Sequence, residues 1–170
     1  MTNISKKSLM SLAAAWCLLC AVPATSQTRA ISTEEFVKKV AISDMMEIQS
    51  SELALSRQPD ADTKPFAEKM VKDHQETSKE LKGLVSSGKV KVTLPTALDA
   101  EHQKKLDELK AKGGKEFDRA YDQMQLQAHE DAVALFEQYS QGGDNPDLKT
   151  WAAKTLPHLK EHLAMARKLS

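Results

Sequence analysis

The sequence predicts an all-α protein, a bundle of four long helices with a long crossover that carries a short extra helix. Apolar residues recur every three or four positions in four long stretches, the spacing of one helix face. Residues 89–95, KVKVTLP, alternate like a strand, but no second such stretch could pair with them, so we expect an extended coil there. Four helices that each carry one apolar face bury those faces most simply as a bundle.

The first 26 residues are typical of a secretory signal peptide, which would leave residues 27–170 as one bundle domain. Lys6 and Lys7 precede an uncharged apolar run, and small residues follow it where a signal peptidase cuts, after Ser26 or after Ala30. That run is shorter than the ~20 residues of a spanning helix, and no later stretch is long and apolar enough. We therefore expect a soluble mature protein in the periplasm or outside the cell.

Cysteine content and charge exclude several classes of function. Cys17 and Cys20 lie inside the predicted leader, so the mature chain has no thiol for a disulfide, a metal or a nucleophile. Neither cysteine follows a small residue, which argues against a lipoprotein signal. The 24 basic and 24 acidic residues balance without a basic run, so nucleic acid and anionic lipid are not expected partners. No protein partner is indicated.

A capping box, Ser32-Thr33-Glu34-Glu35, starts the first helix, which we expect to end near residue 57. Glu47 lies on the inward side of this helix, where a carboxylate is out of place. The apolar residues of that side are Phe36, Val37, Val40, Ile48, Ala54 and Leu55.

The second helix, with Asp60 or Asp62 as its cap, carries His74 at the centre of its apolar face. A buried polar group without a partner costs about 1–3 kcal/mol, so His74 predicts further polar groups around it. The helix ends near Gly88, and Thr96 is expected to cap a short helix over residues 97–112.

The third long helix, residues 115–140, carries His129 on the flank of its apolar stripe. Asn145 and Pro146 are expected to begin the last helix, which contains Pro157 and has His162 within its buried face. Short links make two antiparallel hairpins, and the long segment between them can travel the whole length of the bundle. That connection predicts a ferritin-like four-helix bundle.

Glu47, His74, His129 and His162 each lie near the middle of their helices, so a bundle places them at one level. Imidazole and carboxylate groups are ligands for a transition metal ion such as Zn, Cu, Fe, Mn or Ni. His158 and Asp73 are two further candidate ligands. A structural polar network, in a non-catalytic envelope or stress-associated module, is the alternative, and proton chemistry by a histidine is a third reading.

The di-iron sites of ferritin-like proteins use Glu-x-x-His motifs, and this pattern is absent before His74, His129 and His162. A mononuclear or histidine-rich site is the form that the spacing favours. Phosphate-binding glycine loops and nucleophile–base pairs are also absent, so the sequence favours a binding protein over an enzyme.

Four segments in order, MVKDH, LPTALDAEHQKKLDEL, FDRAYDQMQLQAHEDAVALFE and LPHLKEHLAMA, resemble an exported bacterial family of ferritin-like four-helix domains of unknown function. Its members are often labelled predicted outer membrane protein. The resemblance covers residues 36–169 and implies a ferritin-like fold and export, but no reaction. The matching residues are Glu47, Asp73, His74, Phe117, Asp118, Tyr121, His129, Pro157 and His162, whereas His158 is particular to this sequence.

Overall fold

The computed structural model describes residues 30–169, which form five helices. These are α1 (Thr33–Ser56), α2 (Thr63–Ser86), α3 (Ala100–Ala111), α4 (Gly114–Gly142) and α5 (Pro146–Leu169). Within this range there is no strand, and residues 91–95 are irregular coil. The all-α class, the four long helices and the short crossover helix are confirmed.

Two helix starts agree with the predicted caps. Oγ of Ser32 accepts a hydrogen bond from the backbone N–H of Glu35 at 3.2 Å. Oδ1 of Asn145 accepts from the backbone N–H of Leu148 at 2.9 Å. Each cap satisfies a backbone donor that has no partner within the first turn of its helix.

The start of the crossover helix α3 differs from the prediction. Thr96 as its cap is wrong, because α3 begins at Ala100 and Oδ1 of Asp99 accepts from the N–H of His102 at 2.9 Å. The preceding coil is held in place by apolar side chains that pack on the bundle, namely Val90, Val92 and Leu94. The helix therefore begins only after this anchored coil, at the next strong capping residue.

Hydrogen bonds between helices fix the direction of the chain. Thr33 at the start of α1 contacts the hydroxyl of Tyr139 near the end of α4, and Ser51 near the end of α1 contacts that of Tyr121 near the start of α4. Helices α1 and α4 are therefore antiparallel. Since the short link over residues 57–62 makes α1 and α2 antiparallel as well, α2 and α4 run in the same direction. The crossover, residues 87–113, must then travel the length of the bundle, which is the ferritin-like connection.

The core has two apolar parts, one towards each end of the bundle. In the first, the ring of Phe36 stacks on Tyr139 at 4.0 Å between centroids. In the second, Phe66 packs edge-on against Tyr121 at 6.3 Å. Between the two parts lies a buried layer of polar residues: Asp44, Glu47, Ser50, Ser51, His74, Gln125, His129 and His162.

No helix within residues 30–169 is long and apolar enough to cross a membrane. Pro157 lies inside α5, as the sequence predicts. The predicted signal peptide and its cleavage site after Ser26 lie outside the described residues.

Candidate metal centre

Three histidines from three helices meet in the middle of the polar layer. His74 comes from α2, His129 from α4 and His162 from α5, and their exposed fractions are 4%, 1% and 2%. Their ring centroids are 5.4–5.7 Å apart. One ring nitrogen of each lies within 4.8 Å of the corresponding nitrogens of the other two. The structure therefore brings together three of the four residues that the sequence places at one level.

A hydrogen bond on the other ring nitrogen orients each imidazole. Nδ1 of His74 donates to Oδ1 of Asp44 at 2.8 Å, and Nε2 of His162 donates to Oδ2 of Asp73 at 2.9 Å. Nδ1 of His129 donates to the backbone carbonyl of Gln125 at 2.8 Å. Carboxylate and carbonyl oxygens only accept, so in the neutral form of each ring the proton lies on the bonded nitrogen and the lone pair on the other.

The nitrogens left with a lone pair are Nε2 of His74, Nε2 of His129 and Nδ1 of His162. All three are buried and have no hydrogen-bond partner within residues 30–169. Most buried polar side-chain atoms in proteins have a partner. When the rings are neutral, these three atoms have free lone pairs, so the group has the chemistry to bind one metal ion.

Burial keeps two of the rings, those of His129 and His162, neutral near pH 7. Burial lowers the pKa of His129, although the negative charge of Glu47 opposes the shift. Burial also lowers the pKa of His162 to about 4, although the hydrogen bond to Asp73 opposes the shift. A neutral imidazole is the form that binds a metal ion.

The pKa of the third ring, that of His74, shifts in the opposite direction. Burial alone would lower the pKa of His74, but the hydrogen bond and negative charge of Asp44 outweigh burial and raise it. The carboxylate thus makes the imidazole more basic, which is the effect that carboxylate partners have on metal-binding histidines in general.

Glu47 lies in the same layer, with 2% of its surface exposed. Neither of its carboxylate oxygens belongs to the group of candidate ligand atoms formed by the three histidines. Its Oε2 atom is buried and unpartnered in the described part of the chain. Its charge acts on both His74 and His129, so it is near those two rings.

The two further candidate ligands, Asp73 and His158, lie outside the group of three histidines. Asp73 is half-buried and orients His162 from outside the three rings, while Lys69 binds the same carboxylate oxygen at 2.9 Å. His158 is exposed, one turn before His162 on α5. It lies outside the converging group.

Sequence reasoning missed Asp44, the carboxylate that orients His74. Its exposed fraction is 3%, and Ser78 donates to its second oxygen at 3.1 Å. Asp44 lies three residues before Glu47, so helical spacing places both on neighbouring parts of one face. The spacing of these two acidic residues is the sequence feature that could have identified Asp44.

The dimensions of the histidine group suit a metal ion after a small contraction. Metal–imidazole bonds of about 2.0–2.1 Å require ligand nitrogens roughly 3.3–3.6 Å apart. The present separations reach 4.8 Å, so each ring would shift inward by less than about 1 Å. With this contraction the three residues fit a mononuclear site.

A model of one protein family matches residues 20–169, nearly the whole chain, and is described as a domain of unknown function, DUF4142. The chain belongs to the DUF4142 family. This match confirms the predicted family resemblance and carries no assigned activity. No curated protein matches the chain.

Among solved structures, a match to this DUF4142 chain is described as CopM in the Cu(II)-bound form. The two proteins are 17% identical and superpose with a TM-score of 0.66 over 81% of this chain and 95% of the other. At this level of identity the likeness shows a shared helical fold.

Proposed function

We propose that this protein is an exported transition-metal-binding protein whose site consists of His74, His129 and His162. The observation that carries the proposal is the convergence of three buried imidazoles, each of which has one nitrogen without a hydrogen-bond partner in the described residues. A hydrogen bond behind each ring fixes its tautomer. Metal-binding histidines in proteins generally have such a partner on the second nitrogen.

Copper is the metal that the observations favour. Three imidazole ligands without a thiolate suit copper or zinc, whereas magnesium and calcium require oxygen ligands. Copper(II) forms more stable complexes with nitrogen ligands than the other divalent first-row metals do. The fold is also shared with a protein whose structure is described as Cu(II)-bound.

The compartment is part of the proposal. The leader of residues 1–26, with cleavage after Ser26, would deliver residues 27–170 to the periplasm or the exterior. A protein with a buried site and no nucleophile beside it would bind or carry the metal there.

Metal analysis of the purified protein tests the proposal. After incubation with Cu(II) or Zn(II) and removal of loosely bound ions, we expect one ion per chain. Electron paramagnetic resonance of the Cu(II) form should show coupling to imidazole nitrogens. His129→Leu should abolish this tight binding, because it removes one donor and frees only the carbonyl of Gln125.

His158→Gln is the matched control, since it removes an exposed histidine outside the converging group. It should leave the stoichiometry unchanged. If the wild-type protein retains no metal, or if His129→Leu retains as much as the wild type, the proposal is wrong. The three rings would then form a structural network in which water fills the space between them.

A further inference from the structure

Two adjoining cavities lie along the seam between α1 and α4, under the crossover helix α3. One, of about 320 Å³, extends to the buried Glu47, and the other, of about 490 Å³, extends to Asp44 and His74. The two share lining residues and therefore lie side by side, and we call them together the seam groove. This groove connects the surface beside α3 with the polar layer.

His102 of α3 lines both cavities of the seam groove. About 30% of its side chain is exposed, and its Nδ1 donates to Oδ1 of Asp99 at 2.7 Å. His74 and His162 have the same arrangement, with a carboxylate on one nitrogen and a lone pair on the other. His102 therefore has the chemistry of a metal ligand at an accessible position.

Glu47 provides the second, independent observation. Its exposed fraction is 2%, it lines the inner part of the seam groove, and its Oε2 atom has no partner among the described residues. A cation that leaves water for a buried site loses its hydration, and a buried carboxylate along the path offsets that cost.

We propose that the seam groove is the entry route for the metal ion, with His102 as the capture ligand and Glu47 as the transfer ligand. The ion would exchange water for His102 at the surface, pass to Glu47, and reach the three histidines. This inference rests on the proposed function. It adds two residues that act on loading and leaves the final three ligands unchanged.

A cavity of about 270 Å³ between α2 and α5 also reaches His162, with the exposed His158 at its side. Its inner carboxylate is already engaged, since Lys69 and His162 both donate to Asp73. Glu80, further out, accepts from Trp151 and Lys154. This second groove therefore presents carboxylates that are occupied, in contrast to Glu47.

Stopped-flow loading of the metal-free protein with Cu(II), supplied as its glycine complex, tests the route. We expect His102→Gln to load more slowly by about tenfold or more, with an equilibrium dissociation constant within about twofold of the wild type. Glu47→Gln, which is close to isosteric, should also load slowly. Thermal melts establish that both variants are folded.

His158→Gln is the control and the test of the other groove. It should load at the wild-type rate. A wild-type loading rate for His102→Gln, or an equal slowing by His158→Gln, would overturn the entry route. If the wild-type protein binds no Cu(II) at equilibrium, the proposed function itself fails, so the two failures are distinguishable.

Discussion

At the scale of the residue, the decisive feature is the partner behind each histidine ring. Asp44 accepts a hydrogen bond from Nδ1 of His74 at 2.8 Å and thereby fixes the rotation of that ring, whose centroid lies 5.7 Å from that of His129 and 5.6 Å from that of His162. The carboxylate is itself held by Ser78 at 3.1 Å. The orientation of the ring is therefore fixed before any ligand arrives.

Asp44→Asn should weaken metal binding about 10–100-fold, because loss of a carboxylate behind a metal-binding histidine typically has this effect. Titration against a chelator of known affinity would measure the change. Asp122→Asn makes the same chemical change on α4 at a residue outside the histidine group and should leave the affinity unaltered. Wild-type affinity in Asp44→Asn would show that Asp44 does not support the site.

Asp122 predicts a pH effect on stability. Burial raises its pKa from 3.8 to about 6, and the charges of Asp60 and Asp118 add to the shift. A carboxyl group with a raised pKa contributes its full stability below pH 3.8, and the contribution is lost as the pH rises through 6.

Asp122→Asn should therefore melt about 2–5 °C higher than the wild type at pH 8, with a difference near zero at pH 4. Thermal denaturation followed by circular dichroism at several pH values measures this trend. Asp131→Asn, which makes the same chemical change at an exposed position of α4, is the matched control. A difference between Asp122→Asn and the wild type that does not change with pH would contradict the assignment.

At the scale of the element, short polar side chains set where the helices begin. For α2, Asp60 Oδ1 accepts from the N–H groups of Asp62 and Thr63 at 3.0 and 2.8 Å. Asp62 is the residue directly before the helix, and its side chain makes no capping hydrogen bond. The sequence is compatible with either Asp60 or Asp62 as the cap of α2. In the structure, the side chain of Asp60 makes the capping hydrogen bonds.

Asp60→Ala should destabilise the protein by about 1 kcal/mol, the usual effect of losing an N-terminal cap. The corresponding fall in melting temperature is about 3–5 °C. Measurement at pH 5 is preferable because Asp122 is then largely protonated in the fold, so the loss of its repulsion by Asp60 contributes little. Asp62→Ala is the matched control, and an equal loss of stability in that variant would disprove the role of Asp60.

At the scale of the whole molecule, two apolar cores enclose one polar layer. The apolar ends supply the hydrophobic stabilisation, whereas the layer contains groups whose burial is unfavourable without partners. A ligand in the layer would satisfy three of those groups only in the folded state.

Metal binding should therefore raise the melting temperature. At a free metal concentration of 100 times the dissociation constant, linkage adds about 2.7 kcal/mol. For a domain of this size that corresponds to roughly 6–12 °C. The shift should be absent in His129→Leu and present in His158→Gln. An equal shift in all three proteins would indicate binding at the surface.

Much of the fold could be predicted from the sequence because each long helix has one apolar face and recognisable ends. The common height of His74, His129 and His162 along the bundle could also be predicted. A residue at the middle of its helix lies at the middle of the bundle whichever way the helix runs. Asp44 could not be found in this way. Helix α1 packs against α2, α3 and α4, so more than one of its sides is buried, whereas the apolar stripe indicates only one.

The sequence by itself determined the all-α class, the long crossover and the three histidines, whereas the leader stays a prediction. Only the tertiary structure decided that Asp44 and Asp73 orient two of those rings, and that Glu47 lies in the same buried polar layer but outside the converging group. The reason is physical. Helical periodicity specifies which side of one helix is buried, but the rotation of each ring depends on partners from other helices, which come together only in the assembled bundle.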